Sequence, residues 1–295
     1  MNKTVCVLMG GPDAERQISI QSGQSIAAAL KKSNKFNVIE KIVARPNLKE
    51  LQKIKCDVFF PALHGPFGEG GPLQVLLEQI DLPFVGSGSA VSKMAINKSE
   101  SKKFAKKHNI ATPEWSIIKC DSTLDFKLPI VLKPNSDGSS VGVSICHTDR
   151  DVMNNRNKLF EKHDSILMES YINGRELTVG IIEGEALPII EIIPPNDLDT
   201  YDFEAKYERK DTAYIVNPDL PENNCVESAL KIYNSMGIRD LARVDFLLDE
   251  EGAWFLEVNT MPGFTPHSLV PRAASAGGIS MESLCISLVA SALAR

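Results

Sequence analysis

The stretch ARVDFLLDEEGAWFLEVNT, residues Ala242–Thr260, decides how the chain is read, because two apolar runs flank Asp249, Glu250, Glu251, Gly252 and Ala253. Such a pattern predicts a hairpin. With Asp249 paired to Ala253 across a three-residue loop, and Gly252 at the left-handed position such loops favour, the register follows by counting. Asp245 then faces Glu257, and Arg243 faces Asn259. Val244 with Val258, Phe246 with Leu256 and Leu248 with Trp254 fall on the opposite face, an apolar set suited to a sheet packed on a core. Two carboxylates directly opposite each other cost stability unless positive charge lies between them. A divalent cation is one answer: Asp, Glu and an Asn amide oxygen are hard donors suited to Mg²⁺ or Mn²⁺, and Mg²⁺ held by few carboxylates usually shares its sphere with substrate phosphates. The other is a solvated hairpin face on which Arg243 bridges the two acids.

N-terminal to this hairpin, residues 1–93 alternate short apolar runs with helix-like stretches: TVCVLMGG, SIQSGQSIAAALKK, FNVIEKIVA, CDVFFPALHG, PLQVLLEQI, LPFVGSG. This repetition predicts a parallel sheet flanked by helices. Residues 94–175 begin with a basic helix that stops at Thr112-Pro113 and continue as short strands, a small α+β layer. Residues 176–295 open with period-2 runs that imply an antiparallel sheet and close with the helical segment MESLCISLVASALAR. The fold class is therefore mixed α/β and α+β.

The 295 residues, 43% hydrophobic and 24% charged, lie in the globular range. A formal charge of -6 provides no general field for a nucleic-acid backbone, so no nucleic-acid partner is expected. No apolar run approaches the ~18 residues of a membrane-spanning helix. The start, MNKTVCVLMGGPDAER, turns to Gly, Pro and charge too early for a signal peptide. No membrane association and a cytoplasmic location are expected. Cys6, Cys56, Cys120, Cys146, Cys225 and Cys285 are scattered without a CxxC pair, which indicates neither a disulfide framework nor a zinc site.

In LPIVLKPNSDGSSVGVSIC a strand ends in Lys133 and a Gly/Ser loop leads into another strand. Loop amides and the hydroxyls of Ser139 and Ser140 could cover phosphate oxygens, with Lys133 supplying charge. The chain lacks GxxxxGK[ST], and a plain hairpin turn is an equal reading. GSGSAV at residues 86–91 lacks the third glycine of a dinucleotide fingerprint. The loop MGGPDAERQIS follows the first strand, where open α/β sheets bind ligands, and carries Glu15. Lys98, Lys102, Lys103, Lys106 and Lys107 have helical spacing and read as a solvated helix face. His64 ends a buried-looking strand, where a hydrogen-bonded structural histidine is the default and a catalytic or orienting one the alternative.

Taken in order, GGPDAERQIS, PALHGPFGEGG, LPFVGSG, NKSESK, VLKPNSDGSSVGVS, ESYINGRELTV, YDFEAKY, RVDFLLD and LEVNTMPGFTPHSLVP resemble the D-alanyl-D-alanine ligases of the ATP-grasp superfamily. The resemblance runs nearly end to end. It implies an ATP-grasp fold behind an N-terminal parallel-sheet domain, with ATP between the second and third domains. It matches Lys98 and Lys133 to phosphate-binding lysines, joined by Lys206 of a mobile loop from about 194 to 218. Glu169, Ser170, Tyr171 and Ile172 match the adenine-reading hinge, Glu176 the ribose-binding acid, and Leu256 a further nucleotide contact. Asp245, Glu257 and Asn259 match the ligands of two Mg²⁺ ions.

At the amino-acid site, the resemblance implies that Glu15 holds the ammonium of the first D-alanine, with His64 beside it. Ser268 and Leu269 match the binders of the second carboxylate, and Arg243 with the Gly263 amide the oxyanion stabilisers. Ser139 and Tyr207 match partners hydrogen-bonded to Glu15, and Tyr207 favours an amine as second substrate. The reaction implied is ATP-dependent joining of two D-alanines through an acyl phosphate, for peptidoglycan precursor synthesis, by a homodimer. A ligase using D-lactate or D-serine as acceptor is the competing enzyme reading. A nucleotide-binding protein without catalysis is the competitor from another class. Gly70, after Glu69, and Asn97, before Lys98, stand where the family usually has Asp.

Overall fold

The computed structural model describes residues 2–122, 126–138, 141–195 and 211–295, and these form three sheets in chain order. In the first, β1 (Thr4–Gly10) lies between β2 (Asn37–Val43) and β3 (Val58–Pro61), all parallel. Parallel neighbours need crossovers, and helix Arg16–Ser33 supplies the first. Val5, Val7 and Met9 face one core while Cys6 and Leu8 face another. Burial on both faces is why TVCVLM reads as an unbroken apolar run. LPFVGSG does not become a strand; it makes one bridge, Phe84 with Phe59. Pro83 has no N–H to donate, and Gly86 turns the chain away at φ +100.

The second sheet is antiparallel, in the order β4-β7-β5-β6: β4 (Trp115–Ile118), β5 (Ile130–Pro134), β6 (Ser144–Cys146) and β7 (Ile166–Ser170). Helix Asp149–Phe160 covers it, started by a capping box between Thr148 and Asp151. The third sheet has six antiparallel strands: β8 (Arg175–Ile182), β9 (Glu185–Ala186), β10 (Ile190–Ile193), β11 (Ala213–Val216), β12 (Leu241–Leu248) and β13 (Ala253–Asn259). Part of the stretch 194–218, read from sequence as a loop, is therefore sheet: β11 pairs with β10 from Ala213 to Val216.

The decisive hairpin forms with a different register near its turn. Asp245 faces Glu257 and Arg243 faces Asn259, as counted, but Phe246 faces Phe255 and Leu248 faces Ala253. The turn is one residue longer than expected because Asp249 organises it. Asp249 Oδ1 accepts from the N–H groups of Glu251 and Gly252 at 2.9 and 3.1 Å and from Trp254 Nε1 at 2.9 Å. Gly252 adopts φ +134, beyond the left-handed helical region, a conformation open mainly to glycine. A β-bulge between Asp245 and Phe246 absorbs the extra residue, Leu256. The two differences cancel at Asp245, so the acids meet although the loop was counted short. The bulge also changes which side chains turn inward. Phe255 and Ala253 join the core with Val244, Phe246 and Leu248, and Leu256 is released to a cavity wall on the other face. Phe246 and Phe255, both 0% exposed, meet edge to face at 6.2 Å, and each contributes ~1.5–3 kcal/mol by burial.

The ends of the chain close the molecule. Leu284 and Leu288 of helix Met281–Leu293 enter the same core as β1 and helix Arg16–Ser33. Buried Asp240, just before β12, accepts from the Gly86 N–H at 2.6 Å and from Arg295 Nη2 at 2.9 Å. Among the described residues, no single helix is long and apolar enough to cross a membrane.

Asp249→Ala removes three hydrogen bonds that define the hairpin turn and is expected to destabilise the protein by about 1–2 kcal/mol. Chemical denaturation measures it; an unchanged midpoint contradicts the assignment of turn geometry to Asp249.

Candidate active site

Two cavities meet at a wall built from Lys98, Asp137 and Glu257, which line both. One, of about 270 Å³, is polar and runs from Glu15, His64 and Glu69 to Arg243, Asn259, Gly263 and Ser268. The other, of about 400 Å³, is bordered by Val131, Ile145, Ile172, Ile193 and Leu256, with Lys133, Glu169, Glu176 and Asp245 among them. An apolar slot ending in cations and acids next to a polar pocket suits a ligand with a flat apolar end and an anionic end.

The wall takes its charges from the hairpin and the lysine helix. Arg243 forks onto Asp245, Nε to Oδ1 at 3.0 Å and Nη2 to Oδ2 at 2.8 Å, and the Thr178 hydroxyl donates to Oδ1 at 2.6 Å. Lys98 Nζ lies 3.1 Å from Glu257 Oε2 and donates to the Asp137 carbonyl at 2.7 Å. The solvated-face alternative for the acid pair does not hold as stated. Asp245 is 6% exposed and Glu257 half-buried, and each has a protein cation against it, Arg243 and Lys98 respectively. The lysine run is corrected as well: Lys98 and Lys102 are buried at 6% and 0% exposure, while Lys103, Lys106 and Lys107 are exposed. Lys98, Ser101, Lys102 and Ala105 follow a helical core-facing stripe, so the spacing already carried the signal.

In the polar cavity, Glu15 stands at the start of helix Arg16–Ser33, buried under the loop after β5. The loop backbone passes so close that a Cβ at Gly138 would lie 3.0 Å from Glu15 Oε2 and 3.5 Å from Glu69 Oε1. Glu69, to which no sequence motif assigns a role, is buried beside Glu15, and its Oε1 accepts the Gly65 N–H at 2.9 Å. Burial pushes its carboxyl well above the usual range, and the neighbouring Glu15 charge adds to that. His64 uses both ring nitrogens on protein. Nδ1 meets the Met261 carbonyl at 3.1 Å and Nε2 the Ser22 hydroxyl at 3.2 Å. A carbonyl only accepts, so Nδ1 carries the proton and Ser22 donates to Nε2. Burial lowers the imidazole pKa, in keeping with this neutral form. Ser22 in turn accepts the Phe264 N–H at 3.0 Å, so the histidine braces the segment that carries Gly263. Ser268 stands at the N-cap position of helix Leu269–Ala276 with its hydroxyl turned to accept the Thr265 N–H at 3.0 Å, and a Cβ at Gly263 would lie 2.9 Å from its Oγ. Leu269 completes that end of the cavity.

In the second cavity, Glu169 to Ile172 form the rim between the sheets. The Ser170 and Tyr171 N–H groups bond to the carbonyls of Glu114 and Pro129. The Glu169 carboxylate turns inward, held by Lys133 on one oxygen and Lys102 at 2.8 Å on the other. Burial alone would raise its pKa; the two ammonium groups outweigh this and hold it below its usual value. Lys102 is pulled down to about 8 by burial, opposed by Glu169. Ser139, Ser140, Lys206 and Tyr207 lie outside the described residues.

Comparison with known proteins follows the same lines. Residues 91–290 match the family model described as D-ala D-ala ligase C-terminus, and residues 40–87 that of the D-ala D-ala ligase N-terminus. The chain is 38% identical over 301 residues to the D-alanine–D-alanine ligase of Syntrophotalea carbinolica, covering 99% of this chain and 97% of that protein. The crystal structure of the D-alanine–D-alanine ligase from Bacillus anthracis superposes with a TM-score of 0.88 at 32% identity, covering 99% of this chain and 98% of that one. The same enzyme complexed with ATP superposes at 0.85 with 30% identity, over the same shares.

A carboxyl whose pKa is raised by folding weakens the fold above its unfolded pKa, since unfolding lets it ionise freely. Glu69→Gln, which retains an acceptor for Gly65, is expected to melt a few degrees above the wild type at pH 8. The gap should close as the pH falls toward ~4. Melting curves across that range check it; a gap independent of pH contradicts the assigned state of Glu69.

Proposed function

Because the chain belongs to the D-alanine–D-alanine ligase family, we propose that it joins two molecules of D-alanine with cleavage of ATP to ADP, through a D-alanyl phosphate. The observation that carries this reading is the shared wall: Lys98 and Glu257 line both cavities. A carboxylate from the polar side and a terminal phosphate from the other side can therefore meet there, and proximity accounts for much of the rate.

Glu15 holds the ammonium of the first D-alanine and leaves its carboxylate directed at the wall. Lys98 and Lys133 neutralise phosphate charge as that carboxylate attacks the γ-phosphorus and ADP departs. The N-terminus of helix Leu269–Ala276, with Ser268, receives the carboxylate of the second D-alanine, since helix N-terminal N–H groups favour anions. The second amine attacks the activated carbonyl. Arg243 and the Gly263 N–H stabilise the oxyanion, and phosphate leaves. Asp245 orients Arg243 through the fork described above, and His64 holds the Met261–Phe264 segment. The apolar wall of Val131, Ile172 and Leu256 takes the adenine, with Glu176 at the ribose.

The donors fit a hard divalent cation. Asp245, Glu257 and Asn259 offer only oxygen, and Asn259 Oδ1, though it accepts the Met261 N–H at 2.8 Å, retains a second lone pair. These three residues would hold Mg²⁺, as two ions, or Mn²⁺, which supplies neutralisation of charge on the phosphate oxygens when bound. Lys98 and Arg243, already on the same carboxylates, keep the acid pair balanced at rest.

Incubation with D-alanine, ATP and MgCl₂ is expected to yield the dipeptide and ADP in equal amounts, identified by mass. A requirement for D-lactate or D-serine as acceptor overturns the dipeptide reading. Glu257→Gln should lower turnover by on the order of 10²-fold or more while preserving the melting temperature. A fully active variant removes Glu257 from the phosphate site.

A further inference from the structure

We infer that Lys102 is a positioning residue that ties together the two walls of the nucleotide cleft, an inference that rests on reading the cleft as the ATP site. The cleft lies between two sheets. Glu169 and Lys133 belong to the central sheet, and Leu256 and Glu257 to the C-terminal hairpin. Lys102 belongs to neither; it projects from helix Lys98–Lys107 with its side chain 0% exposed. Its Nζ lies 2.8 Å from Glu169 Oε2 and donates to Thr112 Oγ1 at 2.8 Å. The Thr112 hydroxyl passes the connection on, donating to the Phe255 carbonyl at 2.8 Å. The Phe255 N–H donates to the Ala111 carbonyl at 2.8 Å, so residues 111 and 112 run beside β13 immediately before the bulge. The ammonium lies 5.7 Å from the centroid of the Trp115 ring, within cation–π range.

Packing alone does not explain an ammonium here, since an apolar side chain of similar length would fill the space without the cost of desolvating a charge. What the ammonium adds is direction. It forms an ion pair with Glu169 of the central sheet and a hydrogen bond to Thr112, which bonds to β13, so the spacing of Glu169 from Phe255 is set through one short connection. Two consequences follow for the cleft. The bulge that turns Leu256 toward the cavity and keeps Glu257 opposite Asp245 is held at Phe255 along the strand edge. Glu169, already half neutralised by Lys102, leaves more of the Lys133 charge for a phosphate than a lone Glu169–Lys133 pair would.

The test compares wild type, Lys102→Met and Thr112→Val by calorimetric titration with ATP and MgCl₂, alongside steady-state kinetics. Lys102→Met is expected to weaken ATP binding about tenfold or more and to raise the KM for ATP in parallel. The KM for D-alanine should change less than about twofold. Thr112→Val removes both hydrogen bonds of the Thr112 hydroxyl while leaving the Lys102–Glu169 ion pair, and should weaken ATP binding about threefold. If Lys102→Met does not fold, Thr112→Val decides alone. Tight ATP binding in the folded variants, with only a lowered melting temperature, overturns the inference, because a purely structural lysine would produce that result. A wild type that binds ATP but does not ligate D-alanine refutes the proposed reaction instead, and the binding comparison still decides the role of Lys102.

Discussion

Two carboxylates held side by side on neighbouring strands repel each other, and the way this repulsion is met organises the centre of the molecule. Asp245 and Glu257 face each other across β12 and β13. The protein assigns each its own cation, Arg243 from the same strand and Lys98 from the start of a helix. The resting site is thus balanced before any substrate arrives. It is also arranged so that the acids and both cations border the cavities, where a polyphosphate and a divalent ion can enter the same charge arrangement.

That arrangement depends on a defect in the hairpin. A regular ladder continued from the Asp245–Glu257 pair toward the turn would send Leu256 into the core and Phe255 to the site face, because side chains alternate strictly along a strand. One extra residue at the bulge reverses this, burying Phe255 against Phe246 and freeing Leu256 for the cavity wall. The hydrogen bonds from Ala111 and Thr112 meet β13 at the same place. The region that shapes the nucleotide wall is therefore braced along the edge of β13, as placement of a reactive pair requires. The polar cavity is braced comparably, with His64 and Ser22 fastening the Met261–Phe264 segment to the first helix.

Much of this was legible in the chain. The parallel first sheet, the antiparallel later sheets and the facing of Asp245 and Glu257 follow from the period of apolar residues, because alternation and burial are local consequences of strand geometry. Other features were misread for local reasons that tertiary contacts overruled. LPFVGSG has strand composition, but Pro83 and Gly86 leave it one bridge. Lys102 looks like a solvated lysine until its helix docks against Glu169, sixty-seven positions away by residue number. Glu69 sits in a glycine-rich motif whose sequence does not reveal that Gly138 comes down over it.

The amino-acid sequence by itself determined the element types, the family resemblance and the residue kinds available for phosphate and carboxylate chemistry, since these depend on patterns within a few residues or on motifs in order. Only the tertiary structure decided the bulge, the separate pairing of the two acids, the neutral braced state of His64 and the connection through Lys102. Each of these is set by groups far apart in the chain, whose energies depend on burial and on distances that appear only when the three sheets come together.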